Sequence, residues 1–158
     1  MPSSIINCGF LMSLTSIVCS VFLIGCSGVR PENLGVKDGH LAPCPETPNC
    51  VSSQSTDKDH AIAPLRYSSS TSEAMADLKK IILRMQRTKV VFESDHYLSV
   101  ECSSAVFRFV DDVEFSFVDA AKTIHVRSAS RMGKDDLGVN RKRIEAIRFA
   151  WNARGKEL

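Results

Sequence analysis

The first 26 residues contain no lysine, arginine, aspartate or glutamate. An apolar run of about 15 residues, 10–24, fills most of that stretch. It is too short for a comfortable membrane span, which needs about 20 residues, and reads as the hydrophobic region of an export signal. The stretch also lacks the basic start usual in such signals, with only the amino group of Met1 to supply positive charge. An uncleaved apolar anchor, or an ordinary signal that happens to contain cysteine, therefore stays open. The rest of the chain lacks a P-loop, a dinucleotide fingerprint, a nucleophile elbow and a HExxH zinc motif, so no cofactor is expected. It has no internal repeat.

At the end of the apolar run, Leu23-Ile24-Gly25-Cys26 resembles the bacterial lipobox, in which a small residue precedes a cysteine that takes a diacylglycerol. The resemblance implies a signal peptide over 1–26, lipidation of Cys26 and a membrane partner held through that lipid. Several acyl chains, each methylene contributing about 0.8 kcal/mol on burial, would make the attachment effectively permanent. Ser27, where an inner-membrane protein would carry aspartate, points to the outer membrane, facing the periplasm.

The remaining 132 residues suffice for one hydrophobic core. Segment 27–40, rich in Pro, Gly and Asn, is expected as a flexible tether, with 41–158 as a single domain. Charge is uneven: 27–121 holds 10 basic and 14 acidic residues, whereas 122–158 holds 10 and 4, a net of +6. Export argues against nucleic acid as the partner of that basic part; a small anionic molecule, lipid or an envelope polymer remains. Cys44 and Cys50, six apart in a Pro-rich loop, can form a disulfide in an oxidising compartment. With His40 and His60 they could hold zinc instead, but the close CxxC pair of structural zinc sites is missing.

Segment 61–67 is a short strand candidate confined to an edge by Pro64. Segment 70–86 is the clearest helix: Ser70 and Glu73 form a capping box, and Met75, Leu78, Ile82 and Met85 recur at helical spacing. Period-two alternation follows over 90–93, 97–103, 106–118 and 123–131. A last helix over 138–153 shows Ile144, Ile147 and Trp151 on one face, with Asp135 or Asp136 at its start. The order β-α-β-β-β-β-α predicts an α+β fold: an antiparallel meander of about five strands with both helices on one face.

Alternation over 106–118 puts Phe107, Phe109, Val113, Phe115 and Phe117 on one face, and Asp111 among them. Either a bulge turns Asp111 and Asp112 to solvent, or a buried carboxylate pairs with arginine. Downstream, Arg127-Ser128-Ala129-Ser130-Arg131 leads through a glycine to Asn140 and Arg141 at a helix start, a plausible anion cradle. Asp111, Asp112, Arg127, Ser128, Ser130, Arg131, Asn140 and Arg141 are therefore expected to line one polar site at the sheet end. The competing reading has Arg127 pairing across strands with Glu114 or Asp112, and 141–143 as a solvated helix face. A triad of Ser128 or Ser130 with His125 and Asp112 is disfavoured, because His125 and Ser128 alternate onto opposite faces.

Three functions fit this pattern. The first is a binding module for a small anionic ligand or envelope polymer. The second is a hydrolase or transferase with Asp112 as base and arginines stabilising charge, and the third is an envelope scaffold for protein partners.

Cys44-Pro-x-x-Pro-Asn-Cys-Val-Ser-Ser53, 107–115, Arg127-Ser-Ala-Ser-Arg-x-Gly133 and Asp136-Leu-Gly-Val-Asn-Arg-x-Arg143 together resemble the domain of unknown function family numbered 1499. The resemblance covers roughly 41–147 and implies an exported, membrane-tethered protein. It implies no activity.

Overall fold

The computed structural model describes residues 28–105 and 108–154. The expectations for 1–26, including Cys26, and for Phe107 lie outside the described residues.

A small hairpin, β1 (Val36–Lys37) with β2 (His40–Leu41), precedes β3 (Cys50–Ser52) and β4 (Leu65–Arg66). Helix α1 (Thr71–Leu83) follows, then β5 (Thr88–Ser94), β6 (Tyr97–Ser103), β7 (Val110–Val118), β8 (Thr123–Ser130) and helix α2 (Val139–Ala153). The main sheet is antiparallel in the order β3-β8-β7-β6-β5, and β4 pairs with the start of β8 along the edge whose other end β3 occupies. The expected β-α-β-β-β-β-α order is present, preceded by three short strands. β3 raises the sheet from five strands to six.

Local chemistry explains both helices. Ser70 Oγ accepts the Glu73 N–H at 3.3 Å while Glu73 Oε2 accepts the Ser70 N–H at 3.0 Å, so the capping box closes. At α2 Asp136 caps: its two oxygens accept the N–H groups of Gly138 and Asn140 at 2.9 and 2.7 Å. Ala74, Met75, Leu78 and Ile82 of α1 and Ile144, Ile147 and Trp151 of α2 are buried against one sheet face. That face presents Leu98, Val100, Val113, Phe115, Phe117, Ile124 and Val126. Each such side chain contributes about 1.5–3 kcal/mol on burial. Trp151 fixes the far end by donating its indole N–H to the Arg66 carbonyl at 2.8 Å.

Among the described residues, no helix lies on the other sheet face. It carries Ser99, Glu101, Asp112, Glu114, Ser116, Arg127 and Arg131, yet most of these are buried. The chain from Gly28 to Leu41 approaches this face. The Gly35 N–H donates to Glu114 at 2.7 Å, and Leu34, Gly35 and Val36 share a cavity wall with Tyr97. Gln54 ties the hairpin down by accepting the Leu41 N–H and donating to the Gly39 carbonyl. The segment read as a tether therefore includes paired strands and, at Gly35, a half-buried anchor point.

β7 begins at Val110, four residues later than expected, because Arg108 takes a left-handed backbone at φ 54°. Phe109 consequently sits outside the strand and is 41 % exposed. From Asp111 onward the register is regular: Asp111 faces Cys102 and Ser130, and Asp112 faces Glu101 and Ala129. The bulge alternative does not occur there. A register shift falls between Val90 and Phe92 instead.

Candidate functional site

Asp111 and Asp112 are consecutive in a regular strand, so they point to opposite faces of the sheet. That divides the expected site in two. Asp111, Ser128, Ser130 and Asn140 meet on the helix side; Asp112, Arg127 and Arg131 lie on the other. Arg141 joins neither group, since its guanidinium donates to the carbonyls of Ala61 and Asp59 at 2.8 and 2.7 Å and holds that loop to α2.

The helix-side group centres on Asn140, which is 1 % exposed. Its Oδ1 accepts from Ser128 Oγ at 2.5 Å and from Arg143 at 2.6 Å; its Nδ2 donates to the Asn49 carbonyl at 3.0 Å and to Ser130 Oγ at 2.9 Å. The side chain's hydrogen-bonding capacity is thereby used. Arg143, which the competing sequence reading put on a solvated helix face, also reaches Asp111 at 2.5 Å. The buried carboxylate among phenylalanines is thus paired with arginine. Arg143 was findable: it lies one turn from Asn140, on a helix face that continues into Ile144 and Ile147.

The opposite group is a chain of charges. Glu114, fully buried, accepts from the Tyr97 hydroxyl at 2.7 Å, the Gly35 N–H at 2.7 Å and Arg127 at 3.1 Å. Arg127 and Glu114 are direct cross-strand partners, as the competing sequence reading had it. Arg131 grips Asp112 as a fork, Nε to Oδ2 at 2.8 Å and Nη2 to Oδ1 at 2.7 Å, and touches Glu101 at 2.5 Å. Hydrogen bonding to Asp112 raises the Arg131 pKa further, and burial together with the Glu114 contact drives the Tyr97 phenol well above its ordinary range. Arg127 Nε is buried and has no hydrogen-bond partner among the described residues. Tyr97 and Glu101 were missed as members; their alternation with Leu98, Val100 and Cys102 along β6, which puts them on the face away from the core, is the signal that would have found them.

His125 shares this face and bonds Ser53 Oγ at 3.1 Å, away from Ser128. Burial, then the charges of His40 and Arg66, lower its pKa. Cys44 and Cys50 form a disulfide. Asn49, between the two cysteines and just before β3, pins the loop through its carbonyl to Ser130 N and Asn140, and through Nδ2 to the Gly133 carbonyl. His60 is buried with Nδ1 2.9 Å from the Cys50 carbonyl. No group of three or more His, Cys, Asp or Glu among the described residues is arranged to hold a metal ion.

Arg127 of β8 and Arg131 just beyond it thus neutralise the sheet's own carboxylates, and the accessible space lies elsewhere. A cavity of about 560 Å³ opens at the end of the sheet where β5 begins and β6 ends, lined by Arg87, Thr88, Lys89, Glu101, Ser103 and Arg108 among others. Arg87, Lys89 and Arg108 are exposed, with no ion pair to any described residue. Arg87 and Arg108 both hold left-handed backbones, at φ 55° and 54°, a strain that non-glycine residues seldom carry. No described helix is long and apolar enough to cross a membrane.

A family model described as a protein of unknown function, DUF1499, matches residues 40–150. No curated protein and no solved structure matches the chain.

Proposed function

Because the chain belongs to the DUF1499 family of proteins of unknown function, which brings no activity with it, we propose a role from its own chemistry: a non-catalytic, lipid-anchored module of the bacterial cell envelope that binds an anionic partner. The anchor is acylated Cys26, in the outer membrane facing the periplasm. Supporting that location are the uncharged apolar start of the chain and the Cys44–Cys50 disulfide, a bond that persists in oxidising compartments.

One contrast carries the binding reading. Arg127, Arg131 and Arg143 are held by internal carboxylates, whereas Arg87, Lys89 and Arg108 line an open cavity without an ion pair to any described residue, Arg87 donating only to the Ser103 carbonyl and the Gln86 side chain. Asp112 gives the catalytic alternative little support, being 1 % exposed and forked by Arg131.

The test has two parts. Mass spectrometry of the mature N-terminus should find acylated Cys26, and an unmodified Met1 terminus would overturn the anchor. Calorimetric titration with glycerol phosphate should show binding that Arg87→Ala, Lys89→Ala and Arg108→Ala together remove, with the melting temperature kept. Equal binding by the triple variant, or none by the wild type, rejects the anion site.

A further inference from the structure

We infer that the end of the domain bearing this basic cavity lies flat against the bilayer, and that the anionic partner is the phospholipid surface itself; this rests on the acylation of Cys26 proposed above. Three observations meet at that end.

The described chain enters there. Gly28 packs so closely on the β8–α2 connection that a Cβ on it would stand 2.8 Å from Arg131 Cβ and 2.9 Å from Met132 Cγ. Cys26 is two residues away in sequence, and two residues of fully extended chain span at most about 7 Å. A lipid on that cysteine brings the β8–α2 connection to the membrane surface. The far turns, a strand's length of about 30 Å away, are kept off it.

The same connection carries exposed apolar side chains. Leu137 is 82 % exposed, and Met132 and Val139 flank it at over 40 % each. Side chains of this kind can enter the headgroup region without any helix having to span the bilayer.

Charge completes the match. Lys134 and Lys142 are exposed beside Leu137, and Arg87, Lys89 and Arg108 stand at the other side of the same sheet end. Of the nearby carboxylates, half-buried Asp136 is spent on capping α2, and exposed Asp135 accepts the Leu137 N–H at 2.8 Å. At the opposite end Glu93 and Asp119 are paired with Lys79 and Lys122 at 2.7 Å each, and exposed Asp95 adds a negative charge, so that end presents no comparable excess of basic residues. A lysine or arginine close to an anionic leaflet strengthens attachment about fivefold.

The experiment uses the acylated full-length protein reconstituted in phosphatidylethanolamine and phosphatidylglycerol vesicles containing brominated lipid. A fluorophore is placed at Leu137→Cys or, at the far end, at His96→Cys. The expected result is strong quenching at 137 and none at 96, with the 137 signal weakened by Lys134→Glu and Lys142→Glu when phosphatidylglycerol is present. Equal quenching at both positions, or at neither, in protein whose Cys26 is shown to be acylated overturns the inference while leaving the anchor standing. Protein without the lipid overturns both.

Discussion

The two faces of the sheet are built from alternate residues of the same strands and are held by different forces. Under the helices, Phe115, Leu98, Ile124 and their neighbours form an apolar core, interrupted only at one end by the Asn140 and Asp111 knot. On the other face Glu114, Arg127, Asp112 and Arg131 are equally hidden from water, yet they bind one another by charge. An apolar face tolerates the loss of any one member in proportion to the volume removed. A face of buried charges does not, because removing one partner strands the other.

The sharpest way to break that comparison is Arg127→Met. It leaves Glu114 buried with no cation, and urea unfolding should show a loss of about 3–5 kcal/mol, much of it restored in the double variant Arg127→Met with Glu114→Leu. If the double variant is no better than the single, charge pairing is not what holds this face. Next in size is Asn140→Ala, which deprives Ser128, Ser130, Arg143 and the Asn49 carbonyl of a shared partner. A loss of about 2–3 kcal/mol in the same assay fits; a loss under about 0.5 kcal/mol would mean that water substitutes for the amide and that the knot is loose.

The smallest effect is a pH dependence. His125 has its pKa lowered by burial in the folded protein, so the unfolded chain takes up protons first as pH falls through the ordinary histidine range. The stability it supports is full above that range and declines below it. His125→Gln should flatten the melting temperature between pH 7 and pH 5 relative to wild type. An unchanged slope would assign the acid loss to other groups.

Features with a local cause were legible in the sequence. The capping box needed only Ser70 and Glu73, and β6 needed only its alternation. Asp111 among phenylalanines was readable because parity within one strand is a local property. What escaped was non-local. Cys50–Ser52 has no strand signature of its own and becomes one by pairing with Arg127–Ala129 across the sheet edge. The single polar site failed for a local reason overlooked: neighbours in a strand diverge, and Asn140 and Arg141 are separated by about a hundred degrees around their helix. Arginines that look available for a ligand were already committed to carboxylates from strands whose pairing the sequence does not display.

The placement of Cys102 bears on how the protein matures. Of the three described cysteines, Cys50 and Cys102 point to opposite faces, since Val51 and Cys102 both belong to the core under the helices. Burial raises the Cys102 thiol's pKa, which starves it of the thiolate that attacks disulfides. Before the sheet closes, any two of the three thiols can be joined by an oxidant. Once the sheet has closed it stands between Cys102 and the Cys44–Cys50 pair, so the folded protein keeps its odd thiol from exchanging with the disulfide.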